Sequence, residues 1–255
     1  MPPADLPTQQ PPPVQRVRIR YAKRGRLRFT SHRDIGRAVE RALRRADVPV
    51  ALSSGFNPHP RISYAGAAPT GAASEAEYLE IALAVPVEPD RLRAALDAAL
   101  PPGLDVVDAV TAGAGSLAER LQASRWVVEL PGVPFEAADR AVGLFLAATE
   151  VEVSRMTKKG LRTFDARAAV VSLAAAPGGG ASSALVDCAI LDLVVRHAEP
   201  AVRPDDVLAG LLEIAGLGTS VAPLVRRLAQ GPLDPQAGTV GDPLVPDRDT
   251  STPPG

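Results

Sequence analysis

Residues 16–21 read Arg-Val-Arg-Ile-Arg-Tyr, and no other stretch restricts the fold of this chain so tightly. Successive strand side chains point to opposite faces, so Val17, Ile19 and Tyr21 share one face and Arg16, Arg18 and Arg20 the other. A Lys-Arg-Gly turn follows, and Arg26-Leu27-Arg28-Phe29 resumes the alternation. Ser31 then stands where a helix cap belongs, with Asp34 three residues on as a short variant of the capping box. From there to about Asp47 the apolar positions Ile35, Ala38, Val39, Ala42, Leu43 and Ala46 fall in one arc of a helical wheel. Arg33, Arg37, Arg41, Arg44 and Arg45 fall in another. The helix buries one face and offers a basic stripe on the other.

The remainder extends this β-α start. Pro49 to Leu52 begins a second strand, and Glu77 to Val85 alternates again. Pro89 opens a helix to about Leu100, and Leu104 to Val110 is a further strand. The order β-α-β-β-α-β is that of the ferredoxin-like fold. After a short helical stretch near Leu117 to Leu121 the order repeats. Strand Trp126 to Leu130 leads to helix Phe135 to Ala148, and strands Glu150 to Met156 and Arg162 to Leu173 flank a Thr-Lys-Lys-Gly turn. Strand Leu185 to Arg196 and helix Arg203 to Ala215 follow, with Ser220 to Leu228 as the last strand. The expectation is an α+β protein of two tandem ferredoxin-like (βαββαβ) domains, residues 15–112 and 122–230. The Pro-rich polar segments 1–14 and 231–255 read as disordered tails.

Net charge is −1, which names no partner, but charge is unevenly spread. Between Arg16 and Tyr64 stand thirteen Lys or Arg and three Asp or Glu. Like charges so crowded repel, and a phosphate backbone relieves that repulsion as its counterions are released. The single cysteine, Cys188, rules out an internal disulfide, an iron–sulfur cluster and a Cys-rich zinc site. The three histidines are scattered, so no metal is expected. No apolar run is long enough for a membrane span and the first residues do not read as a signal peptide, which fits a cytoplasmic protein.

The irregular stretch SSGFNPHPRISY, residues 53–64, gathers Phe56, Asn57, His59, Arg61 and Tyr64 around two prolines. Each residue before a proline is pushed toward extended backbone, so the stretch is stiff without being a ladder. Stiffly held aromatic, imidazole and guanidinium groups suit single-stranded nucleic acid, whose bases stack and whose phosphates pair. The plainer alternative is a structural loop whose Phe56 plugs the core. Glu75, Glu77 and Glu80 form an acidic cluster expected to pair with Arg61 or the basic helix.

The motifs RLRF-x-SH-x-D, S-x-GFNPHP-x-I-S and SEAEYL-x-I stand in that order between Arg16 and Ile81, with a weaker RMTKKGLRTFDAR at Arg155 to Arg167. In these the chain resembles the radical-SAM-associated family of unknown function. That domain is often fused C-terminal to cobalamin-binding-type radical SAM proteins and here stands as a separate chain. The resemblance implies an accessory role beside a radical SAM enzyme in RNA modification. It singles out Ser31, His32, Asp34, Gly55, Phe56, Asn57, Pro58, His59 and Pro60, without roles. The CxxxCxxC motif of the radical enzymes is missing here, so radical chemistry would lie in the partner.

The expected function is therefore RNA binding rather than catalysis, with no cofactor. Arg18, Arg20, Lys23, Arg24, Arg26, Arg28, Arg33, Arg37, Arg41 and Arg44 hold phosphates in this reading. Phe56, Asn57, His59 and Arg61 engage bases, and Lys158 and Lys159 echo the basic patch in the second domain. One alternative is a metal-independent endoribonuclease using His32 or His59, with Asp34 the third candidate catalytic group. The other is a protein-interaction module that docks an acidic partner.

Overall fold

The computed structural model describes residues 9–157, 160–178 and 187–249, and shows an α+β protein. The chain divides into two compact units, residues 1–119 with 243–255, and residues 120–242.

The first unit runs β1 (Gln15–Lys23), α1 (His32–Arg45), β2 (Ile62–Ala65), β3 (Ala73–Leu83), α2 (Pro89–Ala99) and β4 (Leu104–Thr111). Its strands lie in the order β4-β1-β3-β2, and every neighbouring pair is antiparallel. Val17, Ile19 and Tyr21 of β1 enter one core with Leu79, Ile81 and Leu83 of β3. Ile35, Val39 and Leu43 of α1 and Leu92 and Leu96 of α2 close that core, so both helices cover the same face of the sheet. By alternation Arg16, Arg18 and Arg20 point to the opposite face.

The second unit opens after α3 (Leu117–Arg120) with β5 (Ala123–Pro131) and α4 (Phe135–Ala147). A separate hairpin follows, β6 (Glu152–Thr157) with β7 (Gly160–Asp165). The unit continues with β8 (Val170–Pro177), β9 (Cys188–Arg196), α5 (Pro204–Ala215) and β10 (Leu224–Gly231). Strand order is β10-β5-β9-β8, again with antiparallel neighbours. Gly210 lets α5 lie close, because a Cβ there would fall 2.8 Å from Val151 Cγ1 and 2.9 Å from Phe145 Cε2.

Several local expectations are corrected. Residues 25–29 form a 3₁₀ turn rather than a strand, which lifts the chain from the sheet to the helix layer with Leu27 packed on the core. Positions 50–52 make only isolated bridges, and the second strand is Ile62–Ala65 instead, inside the stretch expected to be irregular. The expected strand from Arg162 to Leu173 is broken at Arg167–Ala169 into two strands that belong to different sheets.

The tails are also not free chain over their described parts. Residues 9–14 run as an arm whose Gln10 N–H donates to Ser54 Oγ and whose Val14 N–H donates to Leu83 O. Residues 231–249 hold β11 (Leu233–Asp234), β12 (Thr239–Val240) and α6 (Val245–Asp249). α6 is held by ion pairs. Arg18 is 2% exposed. Its Nη1 donates to both carboxylate oxygens of fully buried Asp247, its Nε to Glu80 and its Nη2 to the Gly115 carbonyl. Asp247 also accepts the Gly113 N–H, and Arg248 pairs with Asp108 on β4.

Removing one partner of a buried pair strands the other charge, so Asp247→Ala is expected to lose about 3–5 kcal/mol of stability. Arg248→Ala, at a half-exposed pair, is expected to lose about 1 kcal/mol or less. Urea denaturation of the two variants checks the contrast.

Candidate nucleic-acid interface

The start of α1 is built as the residues demand. Ser31 Oγ accepts the Asp34 N–H at 3.2 Å, and the Ser31 hydroxyl donates to Asp34 Oδ2 at 2.7 Å. Arg37 approaches the other Asp34 oxygen at 3.5 Å. Asp34 is thus engaged in capping the helix. His32, the first residue of α1, is exposed and packs edge-on to Tyr64 with ring centroids 5.0 Å apart. Tyr64 is not free to stack on a base, because it packs against the core and its hydroxyl lies over Gly36. That hydroxyl is buried and has no hydrogen-bond partner among the described residues. Burial, with the charge of Glu40 second, pushes the phenol pKa well above the usual tyrosine value.

The expected phosphate-holding residues do not share one fate. Arg18 and Lys23 do not serve, since both are buried. Lys23 Nζ donates to the carbonyls of Ala68 and Pro69. Arg24 is clamped by Glu75 and Asp105, whose bonds and charges, Glu75 foremost, raise its pKa further. Arg20 is half-buried, with its Nε lacking a partner. Among the described residues the guanidinium groups of Arg26, Arg33, Arg41 and Arg44 make no ion pair or hydrogen bond, and all four residues are exposed. Arg28 lies 4.6 Å over the ring of Phe29, which is 61% exposed. At 100° per residue Arg33, Arg37, Arg41 and Arg44 occupy one stripe along about 16 Å of helix. The acidic cluster neutralises other cations than expected: Glu80 takes Arg16 and Arg18, and Glu75 takes Arg24. Glu77 accepts the Ala68 N–H.

The Gly55–Pro60 loop is pinched at its base. Ser53 N–H donates to the His59 carbonyl and His59 N–H to Ser53 Oγ. Phe56 projects, 75% exposed, with Asn57, Pro58, His59 and Arg61 also exposed. It does not plug the core. Gly55 has φ +125, a backbone that other residues adopt only with strain. Lys158 and Lys159 lie outside the described residues.

One pair had no sequence signal. Ser124 on β5 and His197, 73 residues later, are bonded at 2.7 Å, and His197 Nδ1 lies 2.7 Å from the Leu121 carbonyl. A carbonyl only accepts, so Nδ1 carries the proton and Nε2 accepts the Ser124 hydroxyl. Burial of the ring, opposed by the Leu121 bond and helped by Arg227, lowers the His197 pKa. His32 opens α1 and His59 lies in the Gly55–Pro60 loop of the first unit, while His197 belongs to the second unit. Among the described residues no group of three His, Cys, Asp or Glu could hold a metal ion, and no helix is long and apolar enough to cross a membrane.

Tyr64→Phe is expected to gain about 1 kcal/mol of stability by removing a buried hydroxyl with no partner, measured by chemical denaturation. Because the folded His197 pKa is lowered, the unfolded chain binds more protons as the pH falls below about 6.5. The His197 contribution is complete above that pH and declines below it. Denaturation midpoints at about pH 7.5 and about pH 5.5 are expected to differ less in His197→Gln than in wild type.

No curated protein matches the sequence. Among solved structures, a chain of the "Crystal Structure of a Cbf5-Nop10-Gar1 Complex" matches at 12% identity and a TM-score of 0.44, covering 90% of this chain. This chain spans 56% of that one. A DypB variant in complex with manganese matches at 14% identity and a TM-score of 0.21, over 82% of this chain and 86% of the other. At these scores neither likeness transfers a fold or an activity. The family comparison reaches further: residues 16–204, which hold the capped helix, the projecting loop and the strands up to β9, match the family described as "Uncharacterized protein conserved in bacteria (DUF2344)", and the chain belongs to that family.

Proposed function

We propose that the protein is an RNA-binding accessory protein that works in the cytoplasm beside a radical SAM enzyme, in RNA modification or processing. The observation that carries the RNA reading is the arginine stripe on α1, in which Arg33, Arg41 and Arg44 are exposed and have no ion pair or hydrogen bond among the described residues while Arg37 meets Asp34, continued by Arg26 and Arg28 in the preceding turn. Elsewhere in the first unit, Arg16, Arg18 and Arg24 are already matched with carboxylates. A surface that leaves its charge unmatched gains most from a polyanion, through the release of condensed counterions. Phe29 and Phe56 add exposed rings on which unpaired bases stack. The radical SAM partner rests on the motif resemblance alone.

We read both units as ferredoxin-like. In each, the strands lie in the spatial order fourth, first, third, second with antiparallel neighbours, counting the β6–β7 hairpin as an insertion. In the first unit the two helices share one face.

Binding of single-stranded and structured RNA across a salt series tests this function. Wild type is expected to bind with a steep salt slope. Arg37→Glu/Arg41→Glu is expected to bind at least about tenfold more weakly and to lose about two from that slope. Absence of binding at low salt would sink the RNA reading and leave the stripe as a dock for an acidic protein. Loss of RNA chain length in the bound fraction, abolished by His32→Ala or His59→Ala, would instead favour the endoribonuclease.

A further inference from the structure

The face of the first unit's sheet opposite α1 and α2 carries a groove of about 660 Å³, lined in part by Arg16, Arg18, Ser63, Glu80 and residues 113, 115 and 116. A second hollow of about 280 Å³ shares Arg16, Ser63 and Glu80 with it and adds Ser53 and Arg61. We propose that the groove and this hollow together bind a small phosphorylated organic molecule, a nucleoside monophosphate in chemical class, with its phosphate in the hollow against Arg16 and Arg61 and its organic body in the groove.

The charges are pre-arranged for an anion. Buried Arg18 holds Glu80 Oε2 at 3.0 Å, and Glu80 Oε1 in turn holds Arg16 Nη1 at 2.9 Å. Both Glu80 oxygens are therefore occupied. Arg18 is separately neutralised by Asp247. Arg16 uses one nitrogen on Glu80, and the rest of its guanidinium is open, its side chain being 55% exposed. Arg61 is exposed and its guanidinium has no partner among the described residues. Three guanidinium groups thus face two carboxylates, leaving one positive charge to be met. A planar guanidinium with free parallel N–H groups matches phosphate oxygens. Ser63, exposed and lining both hollows, supplies a neutral hydroxyl.

The size points beyond a bare ion. The groove falls within the range of small-molecule sites, about 300–1,000 Å³, and its apolar wall from Pro13, Val14, Ala112 and Leu117 can take an organic body. The site is also separate from the α1 stripe. Val17 and Ile19 face the helices while Arg16 faces away, so the groove and the stripe lie on opposite faces of one sheet.

Calorimetric titration of the full chain with a nucleoside monophosphate, the parent nucleoside and inorganic phosphate, at matched ionic strength, tests the proposal. The monophosphate is expected to bind, and the nucleoside at least about tenfold more weakly. Arg16→Gln and Arg61→Gln each lose about tenfold for the monophosphate. Both side chains are solvent-exposed, and thermal melts verify that the variants fold. No monophosphate binding by wild type, or unchanged affinity in both variants, overturns the site. Inorganic phosphate binding as tightly as the monophosphate overturns the organic ligand.

Discussion

Arg18 carries a full positive charge into the middle of a β-sheet, where it is 2% exposed. Taking such a group out of water costs several kcal/mol, and only well-placed counter-charges offset that cost. Glu80 on the neighbouring strand is one, and Asp247, distant by 229 residues in sequence, is the other. Much of the first unit's arrangement follows from this requirement. The chain returns after the second unit to place α6 on the unit where it began, and the Gly113–Gly115 backbone closes around the pair. Glu80, held from below, fixes the direction of Arg16.

The same alternation that buries Arg18 divides the basic residues of the first unit between two surfaces. Strand arginines lie on the face opposite α1 and α2, where carboxylates meet Arg16 and Arg18. Helix arginines lie on the outer side of α1, where Arg33, Arg41 and Arg44 meet none. The local excess of positive charge in the sequence is therefore not one patch.

The loop at 53–60 owes its projection to its flanks. Residues 50–52 bridge to β3 and to Pro60, and residues 61–65 enter the sheet, so the intervening chain has no place in the ladder. Phe56 consequently stands in solvent while Tyr64, eight residues later and similar in chemistry, is drawn under α1. A strand position facing the core and a loop tip produce opposite fates for two aromatic residues in one motif.

The sequence by itself determined the faces of β1, the capped amphipathic α1, its basic stripe and the alternation of strands with helices in both units. Those follow from period-two and period-3.6 patterns and from a cap within three residues, all of them local. Only the tertiary structure decided which charges reach solvent. Arg18 and Lys23 look like their neighbours Arg16 and Arg24 in sequence, yet the first two are buried and the others exposed. Residues 231–249 carry the composition of a free tail, yet they form β11, β12 and α6, and Asp247 of α6 is fully buried against Arg18. Ser124 and His197 meet only because β5 and β9 are neighbours in one sheet. The physical reason is the same in each case: burial and ion pairing depend on groups brought together across the chain, and no local periodicity encodes which groups those are.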